Sequence, residues 1–153
     1  TPKIAFAPLF VIWFGLDAAP KVWMAFLLSA YPLFVNSLTG LSEIEPDILD
    51  LAKISGGTKW RIFTKVRLMN AFPYITDALK VAFPLALVGS IVGEFISGNR
   101  GVGNLILTGQ FNLNTALVFA SLLSVTIFTL VGIVAIVVVE NLFLGWRPSA
   151  RRG

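Results

Sequence analysis

The side chains able to carry chemistry are few and of a restricted kind. Among its 153 residues the chain has no histidine and no cysteine. That removes the commonest general base and metal ligand, together with thiolates, disulfides and sulfur-ligated metals. Twelve Lys and Arg and eight Asp and Glu are left. Hydrolysis would need a Ser–Lys pair or two paired aspartates, and no nucleophile motif is present. "SGGTK", Ser55 to Lys59, has the glycines and lysine of a phosphate loop in the wrong order and lacks the upstream glycine. No site on this chain is therefore expected to bind a nucleotide, a metal or another cofactor. Two features stand out. One is Asp50 to Ile75, "DLAKISGGTKWRIFTKVRLMNAFPYI", which holds Lys53, Lys59, Arg61, Lys65 and Arg67 around a Gly-Gly break. The other is Glu94, an acid in an apolar run, and an ionisable group inside a membrane segment is a functional candidate by default. Glu94 reads either as a gate or pathway carboxylate or as an anchor that reaches water or pairs with Arg100. Asp77 and Lys80, three apart, are expected to neutralise each other.

The elements that position these groups follow from composition. Charged residues are 13% of the chain and its mean hydropathy is +0.84, where a soluble domain has about a quarter charged. Val22 to Ser42 and Gly101 to Val139 carry no charge at all, and a bilayer span takes roughly 20 apolar residues. The fold class is all-α integral membrane: one transmembrane domain over 1–153, a polytopic helical bundle. Spans are expected at 4–16 (partial, kinked at Pro8), 22–39 with Pro32 inside, 73–97 and 115–144. No signal peptide is visible in a chain that opens Thr1-Pro2-Lys3, and it reads as a C-terminal fragment of a longer protein. Gly89 and Gly93 form a G-x-x-x-G that would let two helices approach closely.

The polar insert, about 43–70, is read as two short helices. Pro46 suits a first helical turn, and Asp47 and Asp50 favour the positive helix end. Gly56-Gly57 stops that helix in a left-handed cap, and Thr58 caps the next. Trp60, Phe63 and Val66 then fall three apart on one face, and this second helix ends near Phe72, before the span. Gly98 to Asn114 is an external loop or a short interfacial helix. The bases of the insert and of the tail (Arg147, Arg151, Arg152, beside Trp146) lie two spans apart, so both are cytoplasmic by the positive-inside rule. Most of these bases are topology signals and lipid-headgroup partners. Asp17 and Asp77 then lie on opposite sides, which argues against an embedded enzyme. A rigid helix–glycine–helix unit suits a groove on a partner; the alternative is an amphipathic loop on the headgroups.

At this point the chain resembles the inner-membrane permease subunits of binding-protein-dependent ABC importers. Their signature is Glu-Ala-Ala, a glycine four residues on, and an Ile/Val-x-Leu-Pro ending. Asp50-Leu51-Ala52, Gly56 and Val66-Arg67-Leu68-Met69 stand at those places, with Leu51 and Met69 as departures and Pro73 four residues on. "APLFVIWFG", "PLFVNSLTGL", "VGEFISG" and "GVGNLIL" look like the nitrate/sulfonate/taurine-type branch, which includes bicarbonate and vitamin-precursor systems. The resemblance implies a translocation pathway in the bacterial inner membrane. It also implies coupling through Asp50, Leu51, Ala52, Gly56, Gly57 and Trp60 to a separate cytoplasmic ATPase that binds ATP and Mg. The other implied partners are a second permease copy, a periplasmic or lipid-anchored substrate-binding protein and membrane lipid, with no nucleic acid. A secondary transporter or channel is the alternative; it would not explain the two-helix element.

Overall fold

The computed structural model describes residues 3–44, 48, 50, 54–56, 58–98 and 100–144. Every regular element among them is helical. A short 3-10 turn, Lys3–Phe6, leads into α1, Ala7–Phe14. Pro8 sits in the first turn of α1, just after the 3-10 turn, where its missing N–H has no helical partner to lose. Gly15 ends α1 at φ +78, its N–H bonded to the Val11 carbonyl at 2.9 Å. α2 is Ala18–Ser42, with Pro32 inside it.

α3 runs from Lys59 to Ser97. It begins as α-helix over Lys59–Ile62, widens to a π turn over Phe63–Arg67, and continues as α-helix over Leu68–Ser97. This corrects the expected break near Phe72. The second helix of the insert does not stop there; it is the first part of the same helix that carries the span. The physical reason is that no glycine occurs between Thr58 and Val88, so nothing in that stretch favours a left-handed cap. α4, Val102–Phe111, resolves the Gly98 to Asn114 segment as a short helix. α5 is Thr115–Leu144, capped by Asn114, whose Oδ1 accepts the Leu117 N–H at 3.1 Å. Among the described residues, three helices, Ala18–Ser42, Lys59–Ser97 and Thr115–Phe143, are long and apolar enough to cross a membrane. Leu122, Leu123, Ile127, Leu130, Val131 and Val134 of α5 are exposed, an apolar outside that suits hydrocarbon as solvent.

The chain divides into two compact units. The first comprises Thr1–Tyr31 and Val81–Val134. Its core is Met24, Ala7 and Leu28, ringed by Phe10, Leu85 and Val92. Phe10, Phe14 and Trp23 stack with centroids 5.7 to 6.3 Å apart and fasten α1 to the start of α2. Here Gly89 and Gly93 take α2 directly. A Cβ at Gly89 would lie 2.5 Å from the Met24 carbonyl oxygen, and one at Gly93 would lie 2.7 Å from the Lys21 Cα.

The second unit comprises Pro32–Lys80 and Ala135–Gly153. Gly40 of α2 lies against Ala71 and Tyr74 of α3, with room for no Cβ. The Asn70 amide donates to the carbonyls of Gly40 (3.1 Å) and Glu43 (2.9 Å). These carbonyls close the C-terminal end of α2, where helical partners run out.

Candidate functional site

Within the stretch expected to couple, about 43–70, Gly56 has φ +74 and open space where a Cβ would stand. A left-handed glycine is therefore present where the sequence calls for one. Thr58 is extended (φ −67, ψ 155), and its Oγ1 accepts the Arg61 N–H at 3.4 Å, capping α3. Trp60 is 75% exposed and stacks on Phe63 with centroids 6.1 Å apart. Lys59, Arg61, Lys65 and Arg67 are exposed around them. An aromatic pair held open beside four cations is a contact surface with a shape. The regular three-residue stripe does not reach Val66, because the turn from Phe63 to Arg67 is π, closed by the Leu68 N–H on the Phe63 carbonyl. Asp50 is exposed and lies in a helical turn. Leu51, Ala52, Lys53 and Gly57 lie outside the described residues, as do Pro46, Asp47 and the tail with Trp146, Arg147, Arg151 and Arg152.

Farther along α3, the second unit holds an ion cluster that sequence reasoning found only in part. Lys80 pairs with Asp77 at 3.0 Å, as the i, i+3 spacing predicts, and also with Glu140 of α5. The Glu140 side chain is only 17% exposed. Its place at the end of a long uncharged run was the one signal that could have singled it out. Lys80 thus joins α3 to α5 through charge.

Glu94 belongs to the first unit. Its Oε2 accepts the Gly103 N–H at 2.6 Å, in the first turn of α4. The Glu94 carboxylate stands at the positive end of that helix, which favours an anion. The Arg100 carbonyl, for its part, accepts from Lys21 Nζ at 2.7 Å, which ties the start of α2 to the loop before α4. Glu94 also lines a cavity of about 350 Å³ with Leu87, Ser90, Ile91, Val102, Ser124 and Phe128. Its walls are apolar apart from the two serine hydroxyls and the one carboxylate. Among the described residues, no group of three or more His, Cys, Asp and Glu could hold a metal ion.

Known proteins match this arrangement along nearly its full length. Residues 1–145 match the family described as binding-protein-dependent transport system inner membrane component. The riboflavin transport system permease protein RibX of Chloroflexus aurantiacus is 31% identical over 97% of this chain and 55% of its own length. The formylaminopyrimidine transport permease protein ThiX of Halalkalibacterium halodurans is 33% identical over 97% of this chain and 59% of its own. The taurine transport system permease protein TauC of Escherichia coli is 26% identical over 99% of this chain and 51% of its own. The chain thus spans between half and three-fifths of the length of these relatives.

Proposed function

Since the chain belongs to the family of binding-protein-dependent transport system inner membrane components, we propose that it forms part of the solute pathway of an ATP-driven importer and passes the ATPase's motion into the membrane. In this reading the ATPase is a separate cytoplasmic polypeptide, and this stretch, which has no phosphate-cradling loop, supplies its membrane partner. A substrate-binding protein delivers the solute, and a second permease copy completes the pathway. The cargo is a small metabolite of the sulfonate, taurine, nitrate, bicarbonate or vitamin-precursor kind. The permeases of riboflavin, formylaminopyrimidine and taurine transport named above support that range.

The observation that carries the coupling role is the sequence Gly56, Thr58, Trp60. A left-handed glycine, a capped helix start and an exposed stacked aromatic pair follow one another within a few residues. The helix bearing that aromatic pair continues into a span without a break. A force applied at Trp60 therefore acts on the spanning helix itself and need not be relayed by a flexible joint. Asp50, Leu51, Ala52 and Gly57 complete the contact with the ATPase in this reading.

Gly56→Val tests it. A β-branched residue in the left-handed region costs on the order of 1–2 kcal/mol. No neighbour lies within 4 Å of the position where its Cβ would stand, so the cost is one of backbone conformation and not of a clash. The variant of the full-length subunit should reach the membrane at normal level. Its recovery of the ATPase in a pull-down should fall about tenfold, the ratio that about 1.4 kcal/mol sets, and transport should fall with it. Undiminished ATPase recovery would remove Gly56 from the coupling element.

A further inference from the structure

The carboxylate of Glu94 is engaged by the protein's own backbone. Besides the 2.6 Å bond from the Gly103 amide, two glycines stand where only glycine fits. A Cβ on Gly101 would lie 2.1 Å from the Glu94 carboxyl carbon, and a Cβ on Gly103 would lie 2.8 Å from the Glu94 Cβ and 2.9 Å from the Ile91 carbonyl oxygen. Gly101 also has φ +124, which other residues rarely adopt. As the residue before α4, Gly101 has no side chain with which to cap it. Glu94, seven residues back on α3, supplies the missing acceptor and adds a full charge at the helix end where an anion is favoured. Around it, the Gly98 N–H bonds the Glu94 carbonyl at 2.9 Å, and the Asn104 amide bonds the Gly98 carbonyl at 2.6 Å. The turn from α3 to α4 is therefore held at three points. Val102, between the two glycines, lines the cavity together with Ser124 and Phe128.

We infer that Glu94 is a positioning residue, which clamps the start of α4 to α3 and so fixes the Val102 side of the cavity, and is not a carboxylate offered to the transported solute. Its effect on transport rests on the function proposed above, whereas the clamp itself is read independently of transport.

The test uses a single cysteine, Val102→Cys, in the full-length subunit assembled with its ATPase and binding protein, any other cysteine being replaced by serine. The rate of modification by a small maleimide reports whether the α4 start is held. Glu94→Ala should raise that rate several-fold, and Glu94→Gln, which keeps an acceptor oxygen of the same reach, should bring most of it back. Uptake measured without the reporter cysteine should follow the same order, with Glu94→Gln close to the parent and Glu94→Ala well below it. Gly101→Ala, whose Cβ displaces the carboxylate, should label as fast as Glu94→Ala; it serves in its place if the alanine variant fails to reach the membrane. Labelling at the parent rate in Glu94→Ala or Gly101→Ala would overturn the clamp. So would Glu94→Gln that transports as poorly as Glu94→Ala, since the charge would then matter and the bond would not. Labelling in the expected order with no uptake even by the parent would leave the clamp standing and count against the transport reading.

Discussion

At Gly89 and Gly93, α2 and α3 meet by backbone against backbone; in the other unit a close approach at Gly40 is supplemented by polar side-chain bonds at Asn70 and Lys80. The first contact has no slack, since a single added carbon would lie 2.5 Å from the Met24 carbonyl oxygen. The second has alternatives built in, because Lys80 is shared between Asp77 and Glu140 and the Asn70 amide between two carbonyls. The bilayer gives apolar helices little hydrophobic reason to associate with one another, so packing of small residues and interhelical polar bonds have to do it. Packing of the first kind is short-ranged and keeps one geometry. Polar bonding of the second kind can exchange partners while the helices stay attached. That difference suits a unit that holds a cavity and, in the function proposed above, a unit that carries a moving contact.

The contrast is open to attack at its stiffest point first. Gly89→Leu adds atoms where the neighbour is backbone and cannot rotate away. Overpacking costs about 1–3 kcal/mol and occasionally more, and here the upper end is expected. The folded protein recovered from membranes should drop sharply, and thermal unfolding in detergent should start well below that of the parent. A variant of parental stability would show that the helices part easily there.

Lys80→Met comes next. Removing one partner from a buried ion pair costs about 3–5 kcal/mol. The Lys80 side chain is 25% exposed, which screens part of that, so about 2 kcal/mol is expected. Adding Glu140→Leu should recover much of the loss, because the more buried of the two stranded carboxylates goes as well. A thermal double-mutant cycle gives the coupling, and strictly additive losses would mean that the pair contributes nothing.

The smallest effect belongs to Asn70→Ala. Two carbonyls at the end of α2 lose a donor, but Glu43 lies in an exposed position where water can replace it. About 1 kcal/mol is expected, with faster hydrogen exchange confined to the last turn of α2. Faster exchange throughout α2 would make Asn70 a support of the whole helix and would give the second unit a rigid point besides Gly40.

How far these features could be read in advance depends on how local their cause is. Apolar runs long enough to span declare themselves by composition, and α2 and α5 follow them closely. Gly56 and Thr58 were legible because a left-handed turn and a helix cap are decided within a few residues. Gly89 and Gly93 were legible as a spacing, although only the structure names α2 as what they admit. The interhelical bonds were not legible. Lys80 meets Glu140 sixty residues away, and Asn70 meets Gly40 thirty residues back. Such pairings depend on how each helix is rotated about its axis, which hydrophobic pattern alone leaves loosely set when the outside is apolar too. Glu94 was legible as an oddity. Its use was not, since nothing in "VGEFISGNRGVG" says that the second turn of the path will bring Gly103 back onto it. The break expected near Phe72 failed for a related reason: a change from polar to apolar sequence marks where the surroundings change, not where a helix ends.

The π turn at Phe63–Arg67 has a consequence for how this protein can change over generations. An α-helix advances about 100° per residue, so gaining or losing one residue inside a helix normally turns everything beyond it by that amount. A π turn is such a surplus residue already accommodated. The facing direction of Trp60 is thereby offset from the one an unbroken α-helix would give it relative to Ala71, Ala78 and Ala82, the buried stripe farther along α3. The aromatic pair can be re-aimed towards a differently shaped partner by a one-residue insertion or deletion between Phe63 and Arg67, with the membrane-embedded stripe left in phase. In the function proposed above, the contact with the ATPase can thus be re-fitted while the spanning helix keeps its own packing.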